Sequence, residues 1–477
     1  MKNNKGFTLV ELIAVVAILL VLGFMVTPKV IDIIDENRIK AYKEIEKRLE
    51  EAAAKYLAEN YVDSRTETVR ITKDQLIEGK YIGEIYDLKD KTVCDGYVLV
   101  KDLNTNANYN SMLQCSSYKS NISKLFNTGV EYINYLFSDE EEKASAGLVE
   151  PKLTDGTSTG IRYAGSTPKN YVYYNCDDKD SKNVAYGNAK YDYKNSCEKW
   201  RIIGVFDVKK LVTDVTSEKR IKLIYDSSVW GIAWDTSFDE TVDDAGTLAN
   251  NGRGINQWGE SKYSDGTTYP GSDLMQILNG YYLKVAGKTC TYCSSNSCTR
   301  PNTCRFKQLG TKSQDMIDDA LWHTGAVRYI DPYASSSTKV KLEEIYKDER
   351  KGDTSKPTCS GTSCNDKVIR TATWTGKVGL IYPSDAGYAS ADPSCPSNVR
   401  MNYSTCENQN WITPHSYYWT ISPRKTSSSY YDVYTASSFD ALYASLNYRV
   451  RPSVYLKNSV KITGGDGTSN SPYTLGI

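Results

Sequence analysis

Residues Phe7 to Val26, FTLVELIAVVAILLVLGFMV, form a nearly unbroken apolar run interrupted by one carboxylate, Glu11. As a helix this run reaches ~30 Å at about 1.5 Å per residue, enough to cross the hydrocarbon core of a bilayer. The rest of the chain must fold around that span. Lys2 and Lys5 on the short side favour keeping that end in the cytoplasm, so the large C-terminal part is expected outside. A carboxylate in a membrane segment costs on the order of 2.5–3.5 kcal/mol near the helix centre, somewhat less this near the end, and so needs a partner. An ordinary secretory signal places its small cleavage residues after the apolar core. Here the small residue, Gly6, precedes it.

The order of these features, a polar basic leader ending in Gly6, then Phe7, Glu11 within the apolar run and Pro28 just past it, resembles the type IV pilin and pseudopilin family. The resemblance covers about the first sixty residues. It implies that residues 1–6 are a leader, that cleavage falls between Gly6 and Phe7, and that the new α-amine of Phe7 is N-methylated. It also implies that Glu11 neutralises the amine of a neighbouring subunit during assembly, with Pro28 sharing the assembly role. The partners implied are a prepilin peptidase/methyltransferase, other pilin subunits and the membrane.

Beyond Pro28, Tyr42, Ile45, Leu49, Ala52, Ala53 and Tyr56 recur at three- and four-residue steps among charged residues, which predicts a helix to about residue 60. Thr72 to Gly83 reads as a short helix and a turn, and Gly96 to Lys101 as a strand. This order resembles the small antiparallel-sheet head of Gram-positive pilins, giving a pilin-like module over residues 7–120 with its transmembrane segment at 7–26. Residues 121–167, with a possible helix over Ile122 to Phe137, an acidic run over Asp139 to Glu142 and a Gly/Ser/Thr-rich tail, read as a connector or an irregular subdomain. Residues 168–477 read as a β-rich extracellular domain of short runs such as Trp200–Phe206, Ile221–Tyr225 and Val378–Tyr382, with helix signals at Ser272–Tyr282 and Gln314–Leu321. Segments including WRIIGVF, LMQILNGYY, WTISPR and YRVRPSVYLK resemble an uncharacterised extracellular module of low-GC Gram-positive bacteria, distantly C-type-lectin-like. The fold class is therefore α+β, a long helix with a small sheet followed by a larger disulfide-stapled β domain.

All twelve cysteines follow the apolar run, which with an export signal indicates an oxidising compartment. Cys94 with Cys115, Cys176 with Cys197, Cys359 with Cys364 and Cys395 with Cys406 are natural local pairs. Closing a loop of about twenty residues stabilises by ~3 kcal/mol in the chain-entropy account. In the cluster Cys290, Cys293, Cys298 and Cys304, zinc and two disulfides both come into question. Disulfides are favoured, because a second spaced cysteine knuckle and a nearby histidine are missing.

Fifty-eight basic residues balance fifty-eight acidic ones, which leaves no general electrostatic case for nucleic acid. Catalytic signals are thin. His323 and His415 lie in no recognised nucleophile or zinc motif, and the Ser-x-x-Lys matches at Ser166, Ser336 and Ser422 lack partner motifs. Asp177, Asp178 and Asp180, and the turn Gly464–Thr468, fall short of a calcium loop. No enzyme activity, metal or cofactor is expected. Thirty-eight tyrosines suit loop-built binding surfaces, pointing to a glycan or protein ligand for the outer domain. The expectation is a type IV pilin-like, minor filament subunit with an adhesive or ligand-binding head, single-pass and cell-surface. The alternatives are a pseudopilin of a secretion or DNA-uptake machine and a membrane-tethered enzyme.

Overall fold

The apolar stripe after Pro28 winds into helix α1, residues 37–59, which buries Tyr42, Leu49, Ala52 and Ala53 and leaves its charged face to solvent. We describe it from a computed structural model covering residues 34, 37–60, 68–103, 106–236, 254–263, 265–292, 302–303, 306–328, 340–351, 368–391, 409–412, 417–424, 432–435 and 441–477. The chain divides into two compact units, Met1–Leu125 and Phe126–Ile477.

In the first unit, α1 packs on a three-stranded antiparallel sheet of β1 (Thr68–Thr72), β2 (Asp95–Lys101) and β3 (Asn108–Gln114). Between β1 and β2 lies α2 (Lys73–Glu78), begun by a capping box in which the Thr72 hydroxyl accepts from Gln75 N–H and the Gln75 side chain accepts from Thr72 N–H. Val98, Val100 and Leu113 meet the stripe of α1 to form the core. The helix, the short helix and the central strand lie where periodicity places them.

The second unit begins earlier than composition suggests. Most of the stretch read as a connector is structured: α3 (Gly129–Ser138), α4 (Glu140–Ala146), β4 (Leu148–Val149) and β5 (Ile161–Tyr163) lie within 121–167. Val130, Tyr132, Ile133 and Leu136 give α3 its apolar face, and it realises the second half of the possible helix read over Ile122 to Phe137. The acidic run is a helix start, with the Asp139 carboxylate accepting from Glu141 and Glu142 N–H and its neighbours lying at the positive end of α4. Gly147 ends α4 at φ 76°, a left-handed conformation that glycine adopts without strain.

The main sheet has seven strands. Its order is β11 (Val378–Gly379), β12 (Ser453–Tyr455), β8 (Glu218–Tyr225), β7 (Glu198–Val208), β5 and β4, with β6 (Tyr171–Tyr174) also paired to β7. The run Trp200–Phe206 is the buried middle of β7. Ser272 caps a helix over Asp273–Asn279, where a helix was expected. The signal over Gln314–Leu321 splits instead: Thr311–Asp315 is helical, whereas Ala320–His323 is strand β9 paired to β10 (Thr373–Gly376). Trp322, fully buried and opposite Trp374, decides that local conflict through burial.

Candidate functional site

Helix α1 presents Tyr42, Glu46 and Glu50 at four-residue steps, so all three meet the sheet side of the first unit. Glu50 Oε1 accepts from Ser111 N–H and Oγ–H, each at 3.0 Å. Glu46 accepts from Tyr118 Oη–H at 2.8 Å and bonds Ser120 Oγ. The Tyr42 ring stacks on Tyr118 at 4.2 Å, and its hydroxyl accepts from Leu88 N–H. Asp87 accepts from Lys89 N–H, Ser117 N–H and Oγ–H, and Ser116 Oγ–H. Burial pushes its pKa up, but these donors outweigh that and hold it below the usual carboxylate range. The Cys94–Cys115 disulfide closes the same region. The arrangement fixes α1 against the sheet side of the first unit.

Of the residues singled out from sequence, Gly6, Phe7, Glu11 and Pro28 lie outside the described residues, as does the expected span 7–26. No helix among the described residues is long and apolar enough to cross a membrane. Cys176–Cys197 is bonded as its spacing suggested, and Cys290 is disulfide-bonded. Cys293, Cys298, Cys304, Cys359, Cys364, Cys395 and Cys406 lie outside the described residues, as does His415. The structure assigns the aspartates near Cys176 to folding. Asp180 accepts from the N–H groups of Lys182, Val184 and Asp192, and Asp177 pairs with Lys307. Among the described residues no group of three or more His, Cys, Asp or Glu side chains is placed to hold a metal ion.

The second unit contains a polar centre that sequence reading missed. The register aligns Arg162 on β5 with Gly204 on β7, Gly204 with Lys222 on β8, and Lys222 with Tyr455 on β12. Gly204 presents no side chain between the two cations. A Cβ there would also lie 2.1 Å from the Ile161 carbonyl oxygen, so the close approach of β5 requires glycine. Asp385, on the short helix α6 (Pro383–Gly387), bridges both cations: Arg162 Nη1 donates to Oδ1 at 2.8 Å and Lys222 Nζ to Oδ2 at 2.6 Å. All three side chains are at most 1 % exposed. Tyr382 N–H also donates to Oδ2, at 3.1 Å.

Lys222 Nζ lies 3.9 Å from the Tyr382 ring centroid, 5.1 Å from Trp322 and 5.3 Å from Tyr455. Burial lowers its pKa to about 8 against the opposing pull of Asp385. Burial works against ionised Asp385 too, but one carboxylate faces two cations and stays below its usual range. Helix α5 (Leu342–Lys351) contributes Glu349, whose carboxylate accepts from Ser384 N–H at 2.8 Å and Oγ–H at 2.5 Å and so pins α6. Burial raises the Glu349 pKa. His323, beside this centre, is lowered to about 3 by burial and by the charges of Arg350 and Lys222. The signal for the centre was dispersed over Arg162, Lys222 and Asp385; strand register aligns the two cations, and only the tertiary placement of α6 adds the carboxylate.

Many tyrosines turn inward. Tyr174, Tyr418 and Tyr434 donate to the carbonyls of Ser313, Ile412 and Arg328, stapling loops to the core.

No curated protein and no solved structure matches the chain. Residues 1–27 match the family of the prokaryotic N-terminal methylation motif. That motif indicates a type IV pilin-like or pseudopilin protein, processed by a prepilin peptidase.

Proposed function

We propose that the chain is a minor type IV pilin-like subunit, a substrate of the processing machinery rather than an enzyme, whose second unit is an extracellular ligand-binding head. The observation that carries the reading is the methylation motif over residues 1–27. It is supported by a small helix-on-sheet unit that follows the motif in the same chain. In this reading Gly6 and Phe7 flank the cleaved bond, Phe7 carries the methyl group, and Glu11 pairs with the amine of a neighbouring subunit. The chain is single-pass before processing, with its N-terminus cytoplasmic, and belongs to a surface filament afterwards. A second unit over Phe126–Ile477 would crowd adjacent copies in a shaft, which favours a sparse or tip position.

The test is N-terminal peptide mass analysis of protein from its native cells, beside a sheared surface fraction. Recovery of N-methyl-Phe7 in sheared filaments is the expected result, with Glu11→Ala retaining the protein in membranes and removing it from filaments. An uncleaved Met1 terminus confined to membranes overturns the reading.

A further inference from the structure

We propose that Lys222 and Asp385 become joined by an amide bond between their side chains. Four features of the centre lead there. The amine and carboxylate are in contact at 2.6 Å, and both are shut off from solvent. Three aromatic rings surround Nζ. Among the described residues, Arg162 Nε and Nη2 have no hydrogen-bond partner, so the polar contact of that guanidinium there is with Asp385 Oδ1. Both reacting groups are also rigidly mounted, Lys222 in the middle of β8 and Asp385 on a helix that Glu349 fastens through Ser384. Fixed reactants in contact avoid the entropic cost of meeting, one part of the barrier to condensation between side chains.

The chemistry balances within the pair. A proton passes from Nζ to Oδ2 across their 2.6 Å contact, and Nζ, now an amine, attacks Cγ of the neutral carboxyl group. Negative charge then gathers on Oδ1, where Arg162 Nη1–H already donates. The Cγ–Oδ2 bond breaks, and Oδ2 departs as water carrying two of the three protons of the original ammonium; the third stays on the amide nitrogen. No oxidant or other reactant enters. Burial favours the amine form, consistent with the lowered basicity of Lys222. The product exchanges a desolvated cation and anion for a neutral amide, and ionised groups held out of water are costly. Its carbonyl still accepts from Arg162. The bond would tie β8 to α6 across 163 positions of chain, making the head a covalently closed unit.

Reduced full-length protein is digested with trypsin and mapped by mass. The expected product is a branched peptide joining the segments that carry Lys222 and Asp385, lighter than their sum by one water, with no cleavage after Lys222. Lys222→Met and Asp385→Ala lose the branch. Asp385→Asn regains the identical branched product, because ammonia leaves instead of water, which separates bond formation from mere folding around the carboxylate. Recovery of Lys222 and Asp385 only in linear peptides from the wild-type chain overturns the proposal and leaves an ion pair.

Discussion

Asp87 in the first unit and Asp385 in the second are buried in opposite ways. In the first, Asp87 is satisfied by neutral donors, the backbone and hydroxyls of Lys89, Ser116 and Ser117, all within 30 positions of it. In the second, Asp385 is satisfied by cations 163 and 223 positions away. Neutral donors supplied by nearby turns make a polar anchor that forms with local structure. Opposed charges brought from distant strands form only when the whole sheet is in place, and each leaves a costly orphan if its partner is lost. Asp87 is thus anchored by the turns around it, whereas the centre at Asp385 depends on the complete topology of the second unit.

The contrast can be tested because all eight tryptophans lie in the second unit, so tryptophan fluorescence of the full chain in detergent reports that unit alone. The largest expected effect is from Asp385→Ala, which strands Arg162 and Lys222 and should lower stability of the second unit by roughly 3–5 kcal/mol. A loss under about 1 kcal/mol in a denaturant titration would mean that the charge centre is not what holds the sheet and α6 together. Next is Leu49→Ala, which empties a fully buried site under α1 and should cost roughly 2–4 kcal/mol in the first unit. Hydrogen exchange over α1 should accelerate while the tryptophan-monitored transition stays put; a shared shift would break the separation between the units.

A third effect is set by pH. Folded His323 titrates near 3, below its ordinary 6.5, so the folded state resists a proton that the unfolded chain accepts. Its contribution to stability is therefore intact above about pH 6.5 and declines as pH falls toward 3, by about 2 kcal/mol at pH 5. His323→Gln should remove that part of the slope. Identical slopes for the two proteins would show that the ring is not held neutral. The smallest effect is in the first unit, where Thr72→Ala removes the cap of α2 and should cost about 1 kcal/mol, read as faster exchange over Lys73–Glu78 with no change in tryptophan fluorescence.

Legibility followed the same division. The stripe of Tyr42, Leu49, Ala52 and Ala53 and the short run from Thr72 to Gly83 are local patterns, and the structure places the expected helices there. The Cys94/Cys115 and Cys176/Cys197 pairs were suggested by short spacing and are bonded. Beyond the helix read over Ile122 to Phe137, the structured part of 121–167 was hidden because the Gly/Ser/Thr composition around Gly147 and Gly160 serves turns inside a fold as readily as it serves a linker. Ala320 and Leu321 were read as the end of a helix because the partner that makes Ala320–His323 a strand, Thr373–Gly376, lies about fifty positions on.

By itself the sequence determined the signal at the start of this chain: an apolar run after a basic leader, with Gly6, Phe7 and Glu11 in the order the prepilin resemblance requires, and residues 1–27 matching the methylation motif. That information is linear, because a peptidase and a bilayer read residues along the chain. The tertiary structure alone decided that Arg162, Gly204, Lys222 and Asp385 share one dry centre. Each is unremarkable in its own segment, and their chemistry arises only when strand register and burial remove water from between charges brought from far apart.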